Sequence, residues 1–254
     1  MAEVNTYLDI KDLNKSIGDL ILFENASLSI AERQRIGIIG RNGTGKSTLL
    51  NIISGKEGYD SGEVVFRRGI KVGFLEQSPE YIPDQTVIEA CFNNGNEKAE
   101  LIYKYMECIS ANDHSRLSEL SNSMDISDAW NYEHRIKEVL SKLNISNFHE
   151  HMGNLSGGQR KRVALANVLL TEPDMLILDE PTNHLDLQMI EWLEKYLSQQ
   201  YITLLMVTHD RYFLDRVCNK IIELDNHQFY SYQGSYSYFI EKRQQRKDAE
   251  AAEV

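Results

Sequence analysis

Arg35-Ile36-Gly37-Ile38-Ile39-Gly40-Arg41-Asn42-Gly43-Thr44-Gly45-Lys46-Ser47-Thr48-Leu49-Leu50 is the stretch from which the rest of this chain can be read. Its first five residues form a short apolar run of the kind that makes a buried strand. Residues 40–47 satisfy GxxxxGK[ST] at every required position, and Thr48 to Ile53 continues as a helix ending near Gly55. Strand, glycine loop and helix in that order favour a phosphate cradle over a plain glycine turn. The glycines let backbone N–H groups turn inward, and the helix start adds positive potential. The candidate nucleotide-binding residues are therefore Gly40, Arg41, Asn42, Gly43, Thr44, Gly45, Lys46, Ser47 and Thr48. Lys46 is placed to reach the β- and γ-phosphates, and the Ser47 hydroxyl to ligate Mg²⁺.

A second stretch, Leu176-Ile177-Leu178-Asp179-Glu180-Pro181-Thr182-Asn183-His184-Leu185-Asp186, ends an apolar run in two adjacent carboxylates and a proline-led turn. Ionised carboxylates at a buried strand end are costly unless something positive meets them. Near a phosphate loop, Asp179 is a candidate Mg²⁺ ligand and Glu180 a group that polarises water. A third stretch, Leu155-Ser156-Gly157-Gly158-Gln159, precedes a helical pattern over residues 160–170, with Ser156 as its N-cap and Pro173 beyond its end. Gly157 and Gly158 then sit at a helix start as a second candidate anion site, the plainer alternative being an ordinary capped helix.

Together these residues resemble the ATP-binding cassette superfamily over about residues 4–240. The loop is similar to its Walker A motif, residues 175–180 to Walker B, LSGGQ to the signature sequence, and Asp186 to the D-loop. Gln77 matches the Q-loop and His209 the switch histidine. The turn Pro181-Thr182-Asn183-His184-Leu185-Asp186 resembles the ABC-F branch, within which a Uup-like member is expected, and Gly234-Ser235-Tyr236-Ser237-Tyr238-Phe239 resembles the end of a first cassette. The resemblance implies an α/β P-loop domain with a mainly parallel core sheet, an antiparallel β subdomain and a helical subdomain. It implies ATP and Mg²⁺ as cofactors, with Glu180, His209 and Gln77 catalytic and Ser47, Gln77 and Asp179 on the metal. It also implies that Ser156, Gly157 and Gly158 close the nucleotide site of an opposing cassette. That cassette lies either later in the same chain or in a head-to-tail second copy, so an isolated monomer is expected to hydrolyse ATP weakly.

The expected organisation is a cassette over residues 1–240, with core at 1–83 and 155–240 and a helical subdomain at about 84–154. Residues 241–254 would start a helical linker to a second cassette absent from this sequence. Residues 3–36 predict an antiparallel sheet with turns near 17–19 and at Asn25. Residues 35–77 predict a nucleotide core with strands near 63–66 and 71–75. Apolar stripes predict helices around residues 101–109 and 136–143, with polar residues 110–123 between them as loop or frayed helix. Lys220 to Tyr232 predicts a hairpin turning at Asp225-Asn226-His227.

A formal charge of −11 argues against a general polyanion binder, although Arg160-Lys161-Arg162 and Arg67-Arg68 offer local basic patches. Cys91, Cys108 and Cys218 lack metal-like spacing and read as free thiols; with no membrane span and no leader, the expected location is cytoplasmic. His149 and His151 read as loop residues, not a metal site. Two features depart from the resemblance. Ile17 stands where the family commonly stacks adenine on an aromatic ring, and residues 78–154 leave little room for the arm that ABC-F proteins insert. Three functions stay open: an ABC-F ATPase whose cassette closure acts on the ribosome or another nucleic-acid assembly, the nucleotide-binding subunit of a transporter, and a non-catalytic ATP-gated clamp on branched nucleic acid.

Overall fold

A computed structural model of the chain describes residues 5–76, 80–92, 96–111, 113–199 and 201–252. They divide into two compact units. The first collects Met1–Gln77, Pro173–Asn183 and Ile190–Val254; the second collects Ser78–Glu172 and His184–Met189.

The first unit holds two sheets. Strands β1 (Thr6–Ile17) and β2 (Leu20–Ala31) pair antiparallel across a turn at Gly18, whose φ of 58° is easily reached only without a Cβ. Alternate positions, Leu8 and Ile10 on β1 and Ala26, Leu28 and Ile30 on β2, are buried in the core, as a half-buried strand pair requires. Asn25, expected at a turn, lies inside β2 at φ 48°. The irregular register there is held by reciprocal bonds: Asn25 N–H donates to Asn14 Oδ1 at 2.9 Å, and Asn14 Nδ2 donates to Asn25 Oδ1 at 3.2 Å. It is a bulge, not a turn. The third strand of this sheet is β4 (Ser61–Phe66), paired antiparallel with β1. This corrects its expected place in the nucleotide core; its exposed and half-exposed positions lack the continuous apolar run that a central parallel strand needs.

The second sheet runs β5-β6-β7-β3-β8-β9. Its parallel members are β3 (Arg35–Gly40), β5 (Val72–Leu75), β6 (Met175–Asp179), β7 (Thr203–Val207) and β8 (Lys220–Asp225). Every residue of β6 and β7 is buried, which the apolar runs at 175–178 and 204–207 anticipate. Strand β9 (Gln228–Gln233) closes the edge antiparallel to β8, and Asn226 and His227 both take positive φ between them, as a tight hairpin turn demands. Helix α1 (Lys46–Ile53) buries Leu49, Leu50, Ile52 and Ile53 in the core of this unit. Helices α8 (Arg211–Val217) and α9 (Tyr236–Ala252) complete it; α9 starts earlier than the linker expected from residue 241.

The second unit is helical: α2 (Val87–Phe92), α3 (Glu97–Ser110), α4 (His114–Ser127), α5 (Trp130–Lys142) and α6 (Gly157–Leu170). Ile136, Val139 and Leu140 of α5 and Val163, Ala166 and Leu170 of α6 are buried. The Leu170 carbonyl at the end of α6 accepts from Asn96 Nδ2 at 3.0 Å and from the Tyr132 hydroxyl at 3.1 Å, satisfying an otherwise orphaned helix end. The stretch expected as loop or frayed helix is helical, forming α4. Asp113 caps its start, accepting from Ser115 N–H at 3.2 Å, and Asp128 ends it at φ 55°. Helix α7 (Leu187–Gln199) begins in this unit and continues in the first. The three cysteines are free and buried; burial pushes the Cys91 and Cys218 thiols up to about 12.

Candidate functional site

Strand β3 delivers the glycine loop at its carboxyl end, where Gly40 pairs in register with Leu224 of β8. A Cβ on Gly40 would fall 2.9 Å from the Leu224 carbonyl oxygen, so the close strand contact needs glycine there. Gly45, at φ 96°, is the N-cap of α1 and supplies no side-chain cap, leaving first-turn N–H groups to face a ligand. Between them, Thr44 Oγ1 donates to the Arg41 carbonyl at 2.9 Å and closes the turn. Lys46 Nζ donates to the carbonyls of Gly40 and Arg41, both at 2.9 Å. Partial burial holds the Lys46 ammonium below the usual lysine range, and Glu180 and Asp179 oppose that shift.

Opposite the loop, β6 ends at the buried Asp179. Glu180 leaves the strand at φ 49°, and its N–H donates to the Val207 carbonyl at 2.8 Å, which ties the ends of β6 and β7 together. Its carboxylate accepts from the His209 backbone N–H at 3.3 Å, and His209 Nε2 lies 3.5 Å from its other oxygen. His209 is 66% exposed while Glu180 is only 14% exposed, so the histidine covers the carboxylate from the solvent side. Thr208 and Thr182 hydroxyls meet at 3.4 Å behind them.

These groups line one cleft of about 400 Å³ that includes Asn42, Gly43, Gly45, Lys46, Ser47, Thr48, Asp179, Glu180 and His209. The same cleft has an apolar end made by Ile17, Leu20 and Leu22. Sequence reasoning found Ile17 and missed the two leucines. The available signal was the Gly18-Asp19 turn, across which Ile17 and Leu20 face each other at the hairpin end, exposed at 53% and 56%. ATP with Mg²⁺ fits this donor set. The loop offers backbone N–H groups and an ammonium, and the metal donors are one hydroxyl and one carboxylate. Among the described residues no group of three His, Cys, Asp or Glu side chains could cage a metal. Mg²⁺ suits such a site because it retains waters and takes phosphate oxygens. Gln77, expected on the metal and in catalysis, lies outside the described residues.

Ser156, Gly157 and Gly158 belong to the second unit. Ser156 Oγ accepts from Gln159 N–H at 3.2 Å while Gln159 Oε1 accepts from Ser156 N–H at 2.9 Å, a complete capping box. A Cβ on Gly157 would meet nothing within 4 Å, and one on Gly158 would lie 3.4 Å from His184 Cβ. The helix start is thus open at Gly157 and closely backed at Gly158. Asp186 caps α7 by accepting from Met189 N–H at 3.0 Å.

A family model described as ABC transporter matches residues 23–183. A Bacillus subtilis (strain 168) protein described as an uncharacterised ABC transporter ATP-binding protein, YfmR, is 43% identical over 248 residues, covering 94% of this chain and 39% of that protein. The energy-dependent translational throttle protein EttA of Mycobacterium tuberculosis is 37% identical over 252 residues, covering 93% of this chain and 44% of EttA. The chain therefore spans less than half the length of these curated relatives. Among solved structures, the ATP-binding subunit of an ABC transporter superposes with a TM-score of 0.69 at 20% identity, covering 89% of this chain and 90% of its own. A nucleotide-free ATP-binding cassette from an ABC transporter superposes with a TM-score of 0.64 at 22% identity, covering 93% and 94%. At such identities the likeness shows the fold, an α/β cassette. No helix among the described residues is long and apolar enough to cross a membrane.

Proposed function

The chain belongs to the ABC transporter family of ATP-binding cassettes, and from that premise we propose that it is the first, ATP-hydrolysing cassette of a two-cassette ABC-F protein acting on the ribosome. The observation that carries this reading is the likeness to EttA over nearly the whole chain at 44% of EttA's length, together with the ABC-F-like turn at residues 181–186. The proposal includes the boundaries: a cassette at 1–240, a helical subdomain at about 84–154, and a linker starting at 241. It also includes a cytoplasmic location and a second cassette as partner. The transporter reading draws on the descriptions of the family model and of YfmR, and on solved neighbours whose identity, 20% and 22%, supports only the shared fold.

In this reading the loop N–H groups and Lys46 bind the phosphates, and Ser47, Gln77 and Asp179 hold Mg²⁺, which when bound neutralises charge on the phosphate oxygens. Glu180 orients the attacking water and receives its proton. His209, held against Glu180 by its own backbone N–H, is positioned at the γ-phosphate edge of the cleft. Ile17, Leu20 and Leu22 bury the base without stacking it. Ser156, Gly157 and Gly158 act on the partner cassette's nucleotide, so hydrolysis by the isolated chain is slow.

The test is sedimentation of the full two-cassette protein carrying Glu180→Gln with purified ribosomes, with and without ATP. ATP-dependent retention on ribosomes is the expected result. Retention only on membranes holding a transporter's spanning subunits would replace this reading with the transporter one.

A further inference from the structure

A second cavity, of about 350 Å³, adjoins the nucleotide cleft and shares Lys46 and His209 with it as walls. Four formal cations line it, Arg41, Lys46, Arg211 and Arg243, against two carboxylates, Glu223 and Asp225. Those carboxylates are already engaged. Glu223 meets Arg243 Nε at 2.5 Å and Arg246 Nη2 at 3.1 Å, and it accepts from the Tyr232 hydroxyl at 3.2 Å. Asp225 meets Arg246 at 2.9 Å. The Arg41 and Arg211 side chains, both exposed, make no hydrogen bond or ion pair among the described residues. The lining thus carries an excess of positive charge on a chain whose formal charge is −11.

In the cleft the chain's own charges are one cation, Lys46, against Glu180 and against Asp179, the carboxylate assigned above to Mg²⁺. Hydrolysis there, ATP⁴⁻ + H₂O → ADP³⁻ + HPO₄²⁻ + H⁺, joins the water oxygen to the terminal phosphorus. It breaks the bridging P–O bond with its electron pair going to ADP, and passes the proton through Glu180 to solvent. The step leaves a free dianion beside Glu180, with a cationic chamber on the far side of Lys46 and His209. A cationic lining beside the place where the anion forms raises the local concentration of that anion.

We propose that this chamber is a binding site for inorganic phosphate, taking the hydrolysis product from the cleft, with Arg211 as its principal charge-assisted donor and Arg41 at its mouth. Glu223 and Asp225 serve it by holding Arg243 and Arg246 in place rather than by binding the anion. The assignment rests on the hydrolysis reading above.

The test titrates orthophosphate into the chain saturated with Mg-ADP and follows binding by ³¹P line broadening, for the parent and for Arg211→Ala and Arg211→Lys. ADP affinity, measured in parallel, reports folding and the integrity of the cleft. Saturable phosphate binding in the parent, weakened roughly tenfold by Arg211→Ala and partly restored by lysine, is the expected result for loss of a charged donor. Phosphate binding that is absent from the ADP-loaded parent, or unchanged in Arg211→Ala, overturns the proposal and leaves the nucleotide reading standing. Failure of the parent to bind ADP removes both.

Discussion

The phosphate-loop edge of the first unit and the Ser156 helix start of the second unit both offer backbone N–H groups to an anion, yet they are built by different means. At the loop edge each functional group is fixed by a partner far away in sequence or at a strand end: Gly40 against Leu224, Glu180 N–H on the Val207 carbonyl, and Lys46 on the Gly40 carbonyl that ends β3. At the helix start the whole arrangement closes within four residues, through the reciprocal bonds of Ser156 and Gln159. A site made by long-range pairing is as rigid as the sheet that carries it and suits chemistry. A locally closed cap survives with its own helix and suits presentation to something outside.

The largest expected effect breaks the first region chemically while leaving its fold intact. Glu180→Gln keeps the size of the side chain and its bond from His209 N–H, so Mg-ATP affinity should hold within a few-fold. Steady-state hydrolysis by the full two-cassette protein should fall by about 100-fold or more, as expected for loss of a general base. Unchanged turnover in a phosphate-release assay would remove Glu180 from catalysis. Lys46→Ala comes next. Loss of a charge-assisted bond to phosphate should weaken Mg-ATP binding by roughly 100-fold in calorimetry; retained affinity would mean that the ammonium serves only to close its own loop.

Ser156→Ala sharpens the contrast. It should cost about 1 kcal/mol through the lost cap, read as a small drop in denaturant midpoint, because Gln159 N–H loses its acceptor. Mg-ATP affinity of the isolated chain should not change. A matching loss of affinity would show that the two regions serve one nucleotide within a single cassette, and the opposing-cassette reading would fall.

The same contrast explains what the sequence made legible. Residues 35–53 and 175–180 could be placed because motif and periodicity coincide: apolar runs end in polar residues, and the observed strands stop at Gly40 and Asp179. The capping box of α6 was readable for the same reason that it is local. Helix α4 was left between loop and frayed helix by its serines, which favour turns over helix interiors; its half-buried Leu117 and Leu120 and buried Met124 fall at helical spacing and were the signal that decides for helix. The sheet that β4 joins was not legible, because partner choice is set by tertiary pairing and not by its own six residues. The Glu223, Arg243 and Arg246 cluster was invisible because its members come from a strand and a helix separated by a hairpin.

The smallest effect concerns the base. Ile17 and Leu20 form an exposed aliphatic pair at the hairpin end, on the same cleft as Lys46. An adenine ring lying there buries apolar area but gains no ring stacking, so Ile17→Tyr should add roughly 0.5–1.5 kcal/mol of binding. That is at most about a tenfold tighter ATP complex. The gain should appear equally with ADP, since the base is common to both, and should be absent with tripolyphosphate, which engages only the loop. Equal tightening of tripolyphosphate would show that the substitution acts through the phosphate end of the cleft. No change with any of the three would place the base away from the hairpin, leaving the loop as the part of the cleft that binds nucleotide.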